Sequence, residues 1–135
     1  MKIKIIDFGG RVPVRAHYND AGADVYSPKN YVIQPGCVVK VPLGFGLELP
    51  DGMVGFIFPR SGLSAKGIVC ELPPIDSGYR GEVYAIISNV SHDCYSIKAG
   101  DRIGQLVIFP VMTPDFVMTL ENAERGAGAF GSTGV

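Results

Sequence analysis

"FGLELPDGMVGFIF", Phe45 to Phe58, decides the fold class. Two runs of strand-forming residues flank Pro50-Asp51-Gly52, a turn triplet, and the spacing predicts a hairpin. The same pattern repeats outward from it. "YVIQPGCVVKVPL" reads as two strands around Pro35-Gly36. "KIKIIDF" alternates and is broken by Gly9-Gly10. "EVYAIISNVS" and "RIGQLVIFPV" are apolar enough for buried strands, "KAGD" between them is a turn, and "DFVMTLE" reads as a last strand. Turn signals recur about every ten residues, the rhythm of a sandwich, barrel or jelly roll. Helical periodicity is nearly missing; one short helical turn is expected at Ser61 to Lys66.

A chain of 135 residues makes one domain with a real core. Its hydrophobic share of 47% against 19% charged excludes a disordered chain and tilts towards an oligomer that hides apolar surface. A net charge of −1 excludes a globally basic nucleic-acid binder, and no apolar run is long enough to span a membrane. The N-terminus lacks the apolar core and cleavage site of a signal peptide, so the cytoplasm is the expected compartment. Cys37, Cys70 and Cys94 have neither metal-ligand nor disulfide spacing and read as small buried residues. His17 and His92 read as surface residues.

The β pattern stops near Glu121, which predicts a β-rich domain over 1–122 and a C-terminal arm over 123–135. The arm holds a formal GxGxxG at Gly126, Gly128 and Gly131. A dinucleotide fingerprint needs a helix after it, and the sequence runs out four residues later, so that reading fails.

Four of the six arginines fall in polar, glycine-containing stretches: Arg60, Arg80, Arg102 and Arg125. Arginine forks, hydroxyls and glycine-turn amides are what an oligophosphate needs. Asp24 in "DAGADVYS" and Asp76 in "PPIDSGYRG" stand among apolar and small residues. One could hold a hydrated Mg²⁺ and the other could act as a general base on water; each could equally cap a turn. Phe130, alone in the glycine-rich arm, is suited to cover something flat such as a nucleobase.

Together these stretches resemble the trimeric dUTP pyrophosphatase (dUTPase) family. "DAGADVYS", "PRSGLSAKG", "IDSGYRGEV", "GDRIGQLVI" and "RGAGAFGSTG" are similar to its five motifs, in order and over nearly the whole chain. The resemblance implies an all-β fold, a distorted jelly roll or barrel-like sandwich with a flexible C-terminal arm. It also implies a homotrimer with shared active sites that hydrolyses dUTP to dUMP and pyrophosphate with Mg²⁺. Position by position, Asp76 would activate the attacking water and Asp24 would hold Mg²⁺ through water. Arg60, Ser61, Gly62 and Gln105 would contact the phosphates, and Tyr79 would pack on the deoxyribose. Phe130 would stack on uracil while Arg125, Gly131, Ser132 and Thr133 close over the phosphates. Cys70 and Ile75 lie where base contacts are expected, and Arg80 and Arg102 are expected in structural or intersubunit ion-pair roles.

The chain departs from the family in places. Only "GIVCELPPI" separates Lys66 from Asp76, where the family has a longer hairpin that reads uracil. Pro73 and Pro74 have no N–H to donate to a base. Ala129 replaces a glycine usual in the last motif. The related dCTP deaminases need a glutamate on the strand after "IDSGYRGEV", at the position of Ile86, so deamination is disfavoured. A non-catalytic jelly-roll binding protein is the other alternative, and it would need neither Asp76 nor the "GST" of the arm.

Overall fold

The computed structural model describes residues 1–119. Ten strands and one short helix follow in chain order: β1 (Lys4–Asp7), β2 (Ala23–Tyr26), β3 (Tyr31–Ile33), β4 (Val38–Pro42), β5 (Phe45–Glu48), β6 (Met53–Phe58), α1 (Ser61–Ser64), β7 (Ile68–Cys70), β8 (Tyr84–Asn89), β9 (Tyr95–Ile97) and β10 (Arg102–Pro110). They pair into four small antiparallel sheets, ordered β1-β5, β2-β10-β6, β3-β9 and β4-β8-β7. All these pairs join strands distant in the chain except β7-β8, as expected of a jelly-roll-like sandwich. The expected all-β class is found, and α1 falls in the predicted Ser61–Lys66 turn.

The core gathers one face of each sheet. Val25, Ile33, Val41, Phe45, Leu47, Ile57, Ile87, Ile103 and Leu106 are all buried in one cluster. Burying a side chain of this size contributes about 1.5–3 kcal/mol. Buried Asn89 is fully used. Its Nδ2 donates to the Ile33 and Asp93 carbonyls, both at 2.8 Å, and its Oδ1 accepts from Ser91. It thereby ties β3, β8 and the approach to β9 together with its polar atoms satisfied.

Three expectations are corrected. The Pro50-Asp51-Gly52 turn forms, with Met53 N–H donating to the Pro50 carbonyl at 3.2 Å and Gly52 at φ 83°. Its flanking strands do not make a hairpin: β5 pairs with β1 and β6 with β10. Turn chemistry fixes the reversal and leaves the pairing to remote strands; β5, with three successive buried residues, Phe45 to Leu47, takes β1 as its partner. "DFVMTLE" forms no strand over its described part, residues 115–119. Phe116, Val117 and Met118 are 93%, 85% and 97% exposed, so the segment has strand-forming residues without a strand beside it. The thiols are the third correction. Cys37 and Cys94 are exposed because they flank turns, and Cys70 is half-buried.

Candidate active site

The expected site residues form two groups on this chain. The first lies on the outer face of the β2-β10-β6 sheet. Along β2, Ala23 and Val25 are buried, which turns Asp24 and Tyr26 outward. On β10, Gln105 lies opposite Asp24 and Arg102 opposite Tyr26, with a register shift between Arg102 and Gly104. In a regular strand, residues three apart face opposite sides. The bulge inserts one extra residue, so Arg102 and Gln105 share a face with Asp24. Gly104 permits this: a Cβ there would stand 2.9 Å from Ile57 Cγ2 and 3.0 Å from the Phe58 carbonyl.

The Arg102 guanidinium lies 3.4 Å from Asp24 Oδ2, within the chain, so it need not find its acid on another subunit. Arg60 immediately precedes α1 and donates from Nη1 to the Arg102 carbonyl at 3.2 Å. Gln105 lies against Gly22, where any Cβ would collide with its amide, and donates from Nε2 to the Pro59 carbonyl at 3.3 Å. Three of the five motif stretches are thus laced together. Ser61 and Gly62 are exposed, and as the first residues of α1 their N–H groups have no acceptor within the helix. Among the described residues, nothing outside the helix backbone and the chain neighbours comes within 4 Å of where a Gly62 Cβ would be, so their packing does not require glycine there.

The second group surrounds a cleft of about 240 Å³. Ile75, Asp76 and Tyr79 line it, with Lys40, Glu71, Pro73, Pro74, Glu82, Tyr84 and Ile86. None of Asp24, Arg60, Ser61, Gly62 or Gln105 lines it. Asp76 and Tyr79 close one turn, in which Tyr79 N–H donates to the Asp76 carbonyl at 3.1 Å. Arg80 serves that loop, donating from Nη1 to the Ser77 and Tyr79 carbonyls at 2.6 and 3.2 Å. Ile75 exchanges both backbone hydrogen bonds with Gly55, at 2.8 and 3.1 Å, so it offers the cleft its side chain and no free N–H. Cys70 does not line the cleft. Its thiol donates to the Ile103 carbonyl at 3.7 Å, and burial followed by the neighbouring Glu71 charge pushes its pKa up to about 11.

Lys40 and Tyr84 were not anticipated as cleft residues, and Ile86 was singled out only as the position of a deaminase's glutamate. Tyr84 and Ile86 alternate with buried Ala85 and Ile87 on β8, and Lys40 lies opposite Ile86 on β4. The Lys40 ammonium sits 4.1 Å from the centre of the Tyr84 ring. The apolar run of β8 was visible in the sequence; its alternation and the β4–β8 pairing that make a cleft wall of it were not. Glu71 and Glu82 already accept protein hydrogen bonds, from Ser88 Oγ at 3.0 Å and from Gly44 N–H at 2.8 Å. Arg125, Phe130, Gly131, Ser132 and Thr133 lie outside the described residues.

Comparison with known proteins places this geometry. The dUTPase family signature matches residues 10–134. The chain is 45% identical to deoxyuridine 5'-triphosphate nucleotidohydrolase of Tropheryma whipplei (strain Twist), over 99% of this chain and 96% of that protein. It is 43% identical to the enzyme of the same name from Paramecium bursaria Chlorella virus 1, over 91% of this chain and 89% of that protein. Among solved structures it is similar to a point mutant of the dUTPase of Staphylococcus bacteriophage 80alpha, solved with dUpNHpp. The TM-score is 0.88 at 30% identity, covering 99% of each chain. A point-mutant dUTPase from phage phi11 of S. aureus, whose structure details the coordination of a structural Mg(II) ion, matches with TM-score 0.83 at 27% identity, over 90% of this chain and 98% of that one.

Proposed function

The chain belongs to the dUTPase family, and from that premise we propose that its two groups of residues are halves of one active site, completed between subunits of a homotrimer. The reaction is hydrolysis of dUTP to dUMP. Water attacks the α-phosphorus, a new P–O bond forms, and the bond to pyrophosphate breaks. Asp76 takes the proton from the attacking water. Its place beside Tyr79 in the lining of the cleft carries this reading: base and sugar would enter the cleft and bring the α-phosphate to Asp76. Tyr79 packs on the deoxyribose and excludes a 2′-hydroxyl. Ile75 walls the base site through its side chain.

Arg60, the Ser61 and Gly62 amides and Gln105 bind the phosphates, and the empty space at Gly62 is where a phosphate oxygen approaches. Phosphoryl transfer needs mostly positioning and charge neutralisation, which such a set supplies. Among the described residues no three carboxylate, His or Cys groups cluster to hold a metal. One carboxylate, Asp24, fits Mg²⁺ held through water and bound mainly by the substrate's own phosphates. Bound there, Mg²⁺ would neutralise phosphate charge and hold the triphosphate in one geometry.

The arm, residues 123–135, closes over the site, with Phe130 on uracil and Arg125, Gly131, Ser132 and Thr133 on the phosphates, which excludes bulk water. Residues 1–122 form the β domain. Trimer assembly is supported by an apolar strip that continues the phosphate face. The ring centres of Phe56, Phe58 and Phe109 lie 5.8–6.0 Å apart on the outer side of β6 and β10, with Phe56 and Phe58 stacked and Phe109 edge-on to both, and a half-exposed aromatic strip of that kind is suited to a subunit contact. Among the described residues no helix is long and apolar enough to cross a membrane. The free thiols suit a reducing cytoplasm, and neither nucleic acid nor membrane is a partner.

Pyrophosphate release from dUTP, dCTP, dTTP and UTP tests the activity. Strong preference for dUTP is expected, and equal rates would sink it. Ile86 lines the cleft where a deaminase would need a glutamate, so dCTP should release no ammonia.

A further inference from the structure

Tyr79 is held from below by Gly81 and by the backbone of Glu82. Its hydroxyl donates to the Glu82 carbonyl at 2.7 Å, and its ring lies directly on Gly81. A Cβ at position 81 would collide with the Tyr79 hydroxyl oxygen and stand 2.6 Å from the ring's Cζ. Gly81 is not among the glycines with positive φ, so space and not backbone conformation requires glycine there.

The support beneath the ring is fixed. The Gly81 carbonyl stands 2.7 Å from where a Cβ on Gly46 would be, so strand β5 packs against it from the other side. Glu82 Oε2 accepts from Gly44 N–H at 2.8 Å, and Val83 N–H donates to the Phe45 carbonyl at 2.8 Å. Residues 81–83 therefore cannot retreat from the ring without breaking contacts to the core. Any atom added at 81 must lift the ring instead.

We infer that Gly81 and the Glu82 carbonyl are positioning residues for sugar selectivity: they fix the height of the Tyr79 ring over the cleft, and so how strictly a 2′-hydroxyl is refused. This rests on the placement of Tyr79 against the deoxyribose. A ring displaced by a fraction of an ångström towards solvent opens the space in which a ribose would fit.

The test is kcat/KM for dUTP and for UTP on the full chain, for wild type, Gly81→Ala, Tyr79→Phe, Tyr79→Ala and the Gly81→Ala/Tyr79→Ala double variant. Gly81→Ala should lower the dUTP-to-UTP ratio by roughly tenfold or more. In the Tyr79→Ala background the same change should leave the ratio where it was, because its route runs through the ring. A general structural lesion would depress both substrates together and leave the ratio unmoved. A wild-type ratio in Gly81→Ala overturns the inference, and so does an equal further fall in the Tyr79→Ala background. If Gly81→Ala does not fold, Tyr79→Phe decides, since it removes only the hydroxyl that Glu82 holds: a lowered ratio supports the inference and an unchanged one overturns it. If Tyr79→Ala retains the full preference for dUTP, Tyr79 is not the sugar gate, and that assignment fails before this one.

Discussion

Asp76 and Tyr79 stand at the two ends of one turn, so the proposed base and the proposed sugar platform move as a unit. Arg80 braces the turn carbonyls, and Gly81 and Glu82 fix it to β5. Replacing the carboxylate alone should therefore remove chemistry and leave the shape. Asp76→Asn is expected to bind a non-hydrolysable dUTP analogue normally while kcat falls by about 10²–10⁴-fold. Calorimetry and single-turnover hydrolysis check the two halves separately, and full turnover would remove Asp76 from the base role. Asp76 and Tyr79 were picked out in the sequence through "IDSGYRGEV", and both line the cleft. Lys40 and Tyr84 were not legible. They meet at the cleft only through strand pairing between distant parts of the chain.

The β10 bulge shows what a single extra residue does at the level of an element. It brings Arg102, Gln105 and Asp24 to one face, and Gly104 is the residue small enough to allow it. "RIGQLVIFPV" was readable as a strand, but its bulge was not, because a bulge is a property of two paired strands and a sequence shows one. The Pro50-Asp51-Gly52 hairpin failed for the same reason: the turn was local and correct, and the partners of β5 and β6 were remote. "DFVMTLE" had strand-forming composition and no partner strand among the described residues. The arm beyond it is assigned by motif alone, and its role can be separated from the fold. Deleting Gly126 to Val135 should cut dUTP turnover sharply with the melting temperature and the solution mass of the domain unchanged. Loss of folding on truncation would make the arm structural and the lid reading wrong.

Seen as a whole, the residues proposed to bind phosphate do not line the cleft that holds Asp76 and Tyr79, and the proposed reaction needs both. Asp24, Arg60 and Gln105 belong to the sheet face that runs on into Phe56, Phe58 and Phe109; Asp76 and Tyr79 belong to the cleft beside β8. In the proposed homotrimer, cyclic symmetry would seat one subunit's face against the next subunit's cleft, and closure would give identical sites. Composition hinted at assembly through its low charge for a small domain, while the face proposed for the contact follows from the register of β6, β10 and β2. The most direct measurement is complementation between two inactive variants. Asp76→Asn chains keep an intact phosphate face, and Arg60→Ala chains keep an intact cleft. Unfolded together, refolded as mixed trimers and assayed for pyrophosphate release from dUTP, an equal mixture should recover about a quarter of the wild-type rate, since about one site in four unites two intact halves. A mixture no more active than either variant refolded alone would contradict a site shared between subunits.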